Sequence, residues 1–176
     1  MRISIHSLII IIISLIMLSA CQNESRQPKS PTEKDLKEPL IEANKHVVKT
    51  ENQHIEDLLR RYKWDMIETG SGLRYMIYEK GQGEKAAKGK LATLEYEVRL
   101  ITGDRVYSSD EDGFLSFLIG KGEVISGLEE GILFLNVGDK AKFIIPSHLA
   151  FGLLGDDERI PGKASLIYDI TLLELK

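Results

Sequence analysis

Disulfide, metal and nucleic-acid chemistry all lack raw material in this sequence. There is one cysteine, Cys21, so no internal disulfide can form. The four histidines, His6, His46, His54 and His148, are scattered, and no cysteine joins them at metal-ligand spacing. Neither a metal nor a cofactor is expected. Lysine and arginine form no cluster, the formal net charge is -4, and aromatic residues make up only 7% of the chain. They are not interleaved with basic residues, which argues against a nucleic-acid partner. No Ser/His/Asp set, reactive cysteine or paired-carboxylate motif can be assigned, so covalent catalysis is not expected. What remains is ordinary for a soluble globular protein: 176 residues, 43% hydrophobic and 28% charged. The length suggests one domain with something added.

The addition begins at the N-terminus. Arg2 supplies a positive start, and Leu8 to Leu18 is apolar except for Ser14. That run is short of the ~20 residues that span a bilayer. Residues 1–20 read instead as an export signal. Leu18-Ser19-Ala20-Cys21 resembles a bacterial lipobox, which implies cleavage before Cys21 and a diacylglycerol on its thiol. The alternative is an uncleaved anchor from Ile3 to Ala20 with an incidental cysteine. Both readings hold an exported domain at a membrane, on the periplasmic side. Gln22 stands where an enterobacterial-type retention signal would carry aspartate, so inner and outer membrane stay open.

Residues 21–50 are polar, rich in Lys and Glu, and carry Pro28, Pro31 and Pro39. They read as a flexible tether. Residues 51–69 read as an amphipathic helix and linker, because Ile55, Leu58, Leu59 and Tyr62 follow i, i+3, i+4, i+7 spacing. Thr50 or Asn52 would cap that helix, which packs onto the domain or onto a partner. From residue 70 the pattern changes to strands: Leu73 to Tyr78, Leu94 to Leu100, Arg105 to Tyr107, Leu115 to Ile119, Lys140 to Ile145 and Leu166 to Leu172. One helix interrupts them, over Gly127 to Leu135, with Leu128, Ile132 and Leu135 on one side. The expected fold is α+β, an antiparallel five- to six-stranded sheet wrapped around one helix.

Five segments in order then resemble the FKBP family. They are Gly120-Lys121-Gly122-Glu123-Val124-Ile125-Ser126-Gly127-Leu128-Glu129-Glu130-Gly131, Val137-Gly138-Asp139-Lys140-Ala141, Ile160-Pro161-Gly162, Ser165 to Leu173, and Tyr107-Ser108-Ser109. The resemblance runs over residues 70–176. With the lipobox, stalk and helix, and the stretch from Tyr62-Lys63-Trp64-Asp65 to Gly72-Leu73-Arg74-Tyr75, the layout resembles the gliding-motility-associated peptidyl-prolyl isomerases of Bacteroidetes. This implies a prolyl isomerase acting on proline-containing segments of exported proteins, with motility-apparatus proteins among possible partners. A weakly active or inactive peptide-binding module of a membrane-associated machine is the alternative. The implied pocket is lined by Tyr96, Tyr107, Phe117, Val124, Ile125, Leu128, Phe151, Ile160 and Tyr168, with Leu128 as its floor.

Three positions depart from the family pattern. Ser108 stands for the usual aspartate, Phe151 for the usual tyrosine before glycine, and Leu128 for the floor tryptophan. A carboxylate and a hydroxyl are thereby missing or moved, with Asp110 or Asp112 as candidate stand-ins. The expectation is weak isomerase activity and reduced sensitivity to the family's macrolide inhibitors. The loop Gly152 to Arg159 reads either as a connector or as an apolar lip built on Leu153 and Leu154.

Overall fold

The computed structural model describes residues 33–176. The expected signal over residues 1–20, Cys21 and the first part of the tether lie outside them. Residues up to Glu42 form one unit and Ala43–Lys176 a second.

Helix α1 runs over Glu33–Tyr62. The expected tether is therefore helical from Glu33, and the helix does not wait for Thr50. The physical reason is composition. Glu, Lys and Leu are the commonest residues of this stretch, and such residues lose little freedom in a helix. Pro39 lies inside it without ending it. Thr50 is consequently no cap; its hydroxyl donates to the His46 carbonyl at 2.9 Å, the usual mid-helix option for threonine. The predicted apolar face is real at its centre. Ile55 and Leu58 are buried with Ile144 and Ile167. Tyr62 remains exposed and stacks on Trp64, ring centroids 4.8 Å apart.

The strands are β1 (Ile67–Glu68), β2 (Arg74–Glu79), β3 (Leu91–Leu100), β4 (Arg105–Ser108), β5 (Leu115–Leu118), β6 (Lys140–Ile145) and β7 (Leu166–Leu175). They form one antiparallel sheet of order β1-β2-β6-β7-β3-β4, with β5 also paired to β3. The two-residue β1 has no alternation to read and was not foreseen. A one-turn helix α2 (Ser109–Asp112) follows β4. Helix α3 spans Ser126–Ile132. The expected continuation through Leu135 tightens into turns, with the Phe134 and Leu135 N–H groups donating to Gly131 and Ile132 carbonyls. Leu135 is buried all the same.

Period-two alternation sends Leu94 and Val98 of β3, Phe143 and Ile145 of β6, and Ile170 and Leu172 of β7 into one core with Leu128, Ile132 and Leu135. The opposite face of the sheet offers Ile144 and Ile167 to α1. Two helices thus cover the two faces, and α3 lies very close. A Cβ on Gly127 would come 2.4 Å from Ile145 Cγ2, and one on Gly131 2.7 Å from Phe143 Cε2. Only glycine permits that approach.

Candidate functional site

One row of paired residues crosses the sheet beneath α3. Tyr107 pairs with Val98, Val98 with Tyr168, Tyr168 with Phe143, and Phe143 with Tyr75. Strand register therefore places Tyr107, Val98 and Tyr168 side by side, with Tyr96 one step along β3. Above the Tyr107 end of this row the sheet and α3 leave a cavity of about 480 Å³. Tyr96, Val98, Tyr107, Leu115 and Tyr168 line it from the strands. Glu123, Val124 and Ile125 line it from the segment entering α3, Leu128 from α3, and Phe151 from the loop after the 3₁₀ turn Ser147–Leu149.

Each wall has a local cause. Ile125 is the N-cap of α3, and its carbonyl accepts the Leu128 and Glu129 N–H groups. The Glu129 carboxylate turns back to take the Gly120 and Gly122 N–H groups at 2.6 and 2.9 Å, which fixes the segment entering the helix. Phe151 is set by a chain reversal in which Gly152, at φ +64°, donates to the Ser147 carbonyl at 2.8 Å.

Seven of the nine expected residues meet at this cavity: Tyr96, Tyr107, Val124, Ile125, Leu128, Phe151 and Tyr168. Phe117 and Ile160 do not. Phe117 is buried in the core opposite Ala92. Leu115, two residues earlier on the same face of β5, takes the lining position, as period-two spacing would have allowed. Ile160 is buried beneath its loop, where its carbonyl accepts the Asp156 N–H and its own N–H donates to the Asp156 carboxylate. Val98 was legible as the next inward residue after Tyr96. Glu123 carried no signal; its carboxylate accepts the Leu118 N–H at 2.9 Å.

The carboxylate absent at Ser108 is supplied from elsewhere. Ser108 is buried and its hydroxyl has no partner. Asp112 accepts the Ser108 N–H at 3.0 Å and lies 3.5 Å from Arg159. Asp110 makes no such contact. Asp156 accepts the Tyr107 hydroxyl, with Glu158 a longer second acceptor at 3.4 Å. Asp156 also gathers the N–H groups of Glu158, Arg159 and Ile160 at 2.7–3.0 Å. Arg159 lies 4.7 Å from the Tyr107 ring centroid and donates to the Val106 carbonyl. The loop Gly152 to Arg159 is thus internally braced, while Leu153 and Leu154 stand 68% and 85% exposed.

These contacts keep the tyrosines neutral. The hydrogen bond to Asp156, then burial, pushes the Tyr107 hydroxyl up to about 12. Burial, then the Asp112 charge, raises Tyr96, with Arg159 opposing. Burial foremost raises Tyr168 far above the ordinary range. For Asp156, burial opposes ionisation, but the bonds from Tyr107 and the three backbone N–H groups outweigh it and hold the carboxyl below 3.8. The signs give a pH window. The raised Tyr107 contributes stability that is whole below its unfolded value of 10.0 and fades as pH rises toward about 12. The lowered Asp156 contributes stability above its unfolded value of 3.8, lost as pH falls through the depressed folded one. Activity per folded molecule is therefore expected to be flat between about pH 5 and about pH 9. A pH–rate profile with a step inside that window would contradict it.

Among the described residues, no group of three or more His, Cys, Asp or Glu could hold a metal, and no helix is long and apolar enough to cross a membrane.

Comparison with known proteins follows the same lines. A profile of the FKBP-type peptidyl-prolyl cis-trans isomerases matches residues 82–173. The probable FKBP-type peptidyl-prolyl cis-trans isomerase FkpA of Neisseria meningitidis serogroup B is 38% identical over 108 residues, covering 61% of this chain and 39% of that protein. FK506-binding protein 2 of Dictyostelium discoideum is 39% identical over 90 residues, 51% of this chain and 68% of that one. FkpA of Buchnera aphidicola subsp. Schizaphis graminum is 33% identical over 165 residues, 93% of this chain and 61% of that one. The chain thus spans well under two thirds of some of these relatives. The crystal structure of AtFKBP13 superposes with a TM-score of 0.62 at 32% identity, over 64% of this chain and all of that one. FkpA from Escherichia coli shares the fold, with a TM-score of 0.64 at 24% identity over 100% of this chain and 84% of that one.

Proposed function

The chain belongs to the FKBP-type peptidyl-prolyl cis-trans isomerase family, and from that premise we propose that its inner-face cavity rotates X–Pro bonds without covalent chemistry. The observation that carries the proposal is an open apolar cavity walled by three neutral tyrosines and floored by Leu128. An X–Pro bond favours trans by only ~0.5–1 kcal/mol, yet turns over in tens to hundreds of seconds, because amide resonance sets a barrier of ~18–20 kcal/mol. A twisted amide has lost that resonance. Its carbonyl is less polar and its surface better suited to a dry aromatic wall than the planar form. Binding the twisted form more tightly lowers the barrier, and each ~1.4 kcal/mol of preference gives tenfold in rate. A backbone N–H near Ile125, held by the helix that follows, offers an anchor for a substrate carbonyl.

The finer reading is a lipoprotein tethered through Cys21 on the periplasmic side of a membrane, acting on exported proteins, with a motility apparatus as one setting. Its support is the apolar run, the Leu18-Ser19-Ala20-Cys21 motif and the overall layout. The second reading, a peptide-binding module with incidental turnover, draws on Phe151, which lines the cavity without a hydroxyl, and on the sequestered Ser108.

A proline-limited refolding assay separates the two. Acceleration by the protein that disappears in a Tyr96/Tyr168 double alanine variant is the expected result. Tight capture of a proline peptide with no acceleration would install the binding module instead. Activity is expected to be measurable but weak, with macrolide inhibition weaker than for a typical family member.

A further inference from the structure

We infer that Glu51, on α1 and outside the segment matched by the family, is a positioning residue for two walls of the cavity. The inference rests on the isomerase reading. Its carboxylate accepts three hydrogen bonds from two separate segments: the Ser147 N–H at 2.6 Å, the Ser147 hydroxyl at 3.1 Å and the Ser165 hydroxyl at 2.6 Å. Both serines are buried. Charge-assisted bonds of this kind are the strong class, and a carboxylate taking several of them fixes what donates them.

What is fixed matters for the site. Ser147 opens the 3₁₀ turn, and its carbonyl takes the Ala150 and Gly152 N–H groups at 3.1 and 2.8 Å, on either side of Phe151. Gly152 in turn accepts the Lys163 N–H at 2.7 Å, which joins this turn to the approach to Ser165. Ser165 stands immediately before β7, three residues ahead of Tyr168. One side chain of α1 therefore holds the start of the segment carrying Phe151 and the start of the segment carrying Tyr168. The serines cannot supply this alone: each is a lone hydroxyl on a different stretch of chain. The helix is thus part of the working unit and not a spacer.

The test uses the full chain and three variants. Glu51→Ala removes the acceptor. Glu51→Gln keeps an oxygen for the Ser147 N–H and the Ser165 hydroxyl, and its amide can donate to Ser147 Oγ. Leu58→Ala loosens the same helix through its apolar contact and leaves the carboxylate in place. Two readouts are taken well below the melting temperature. One is kcat/KM per folded molecule on a short proline peptide. The other is hydrogen exchange at the Gly152 and Lys163 amides relative to that of Ile170, which does not depend on turnover. Glu51→Ala is expected to lower kcat/KM and to speed relative exchange by about tenfold, well inside the ~100-fold that a 1 Å misplacement can cost. Glu51→Gln should restore most of both, and Leu58→Ala should change neither. Equal responses from Glu51→Ala and Leu58→Ala would overturn the inference and leave the isomerase reading standing. A wild-type protein that accelerates nothing would remove that reading, and exchange would still decide the role of Glu51. Should Glu51→Ala fail to fold, Ser165→Ala replaces it, with the same signs expected at smaller amplitude and the same equality with Leu58→Ala overturning the inference.

Discussion

Replacing Tyr168 with alanine should lower kcat/KM on a proline peptide by about 100-fold, whereas Tyr168→Phe should cost at most about tenfold. The difference follows from where the residue sits. Tyr168 is 7% exposed, paired with Val98 on one side and Phe143 on the other, and it closes the cavity from β7. An aromatic side chain carries ~150–250 Å² of surface, and apolar surface is worth roughly 25 cal/mol per Å². Little of that surface is free in Tyr168, so the hundredfold, ~2.7 kcal/mol, reflects the wall itself: without the ring the cavity opens beside Tyr96 and Val98 and no longer closes on the amide, a loss below the ~3–5 kcal/mol of truncating a buried aromatic. The phenylalanine variant keeps the ring and removes one hydroxyl, whose bond is worth ~0.5–1.5 kcal/mol net. Rates must be taken per folded molecule, since alanine also removes core contact. Unchanged catalysis and unchanged peptide affinity in Tyr168→Ala would show that the cavity is not the site. An equal loss in Tyr168→Phe would shift the chemistry from a dry ring to a hydroxyl donor.

The second large effect is on stability. Phe143→Ala is expected to cost ~3–5 kcal/mol, the range for truncating a fully buried aromatic. Phe143 is wholly buried in β6 between Tyr75 and Tyr168, with the backbone of α3 resting on its ring at Gly131. Collapse into the hole is resisted, because both strand neighbours are held in register. Domains of this size are stable by only ~5–15 kcal/mol, so roughly a fifth or more of the total is at stake. Urea unfolding with an unchanged slope and a lower midpoint is the expected record. A loss under about 1 kcal/mol would mean that the helix settles onto the sheet without this ring. Because α3 carries Leu128 and begins at its cap Ile125, the same variant should also weaken peptide binding.

How much of this could be read in advance divides along physical lines. Strand alternation is local and strong. Lys140–Ile145 was legible to the residue, and the inward set on β3 and β7 followed from period two. The helical part of the tether, from Glu33, is hard to read because residues 21–50 are polar and carry three prolines, and a solvated helix rich in Lys and Glu shows no apolar face to mark it. The cavity lining came chiefly from the family resemblance, and its two misplacements share a cause. Phe117 and Ile160 are large apolar residues beside the cavity, and only three-dimensional depth separates them from Leu115 and Phe151. Asp156 escaped altogether. Its partners Tyr107, Glu158, Arg159 and Ile160 converge through a loop whose geometry no spacing rule encodes. Glu51 escaped for a similar reason, since nothing in a helical carboxylate announces two serines roughly a hundred residues away.

The order of strands has a consequence for how the molecule is made. β7, hydrogen-bonded to β6 on one side and β3 on the other, lies inside the sheet yet comes last in the chain. A nascent polypeptide emerging from the ribosome would present β3 and β6 with vacant edges until that strand arrives. Such edges invite pairing with other chains. Long-range closure of this kind, with Ala92 meeting Leu175, belongs to high-contact-order topologies that assemble slowly.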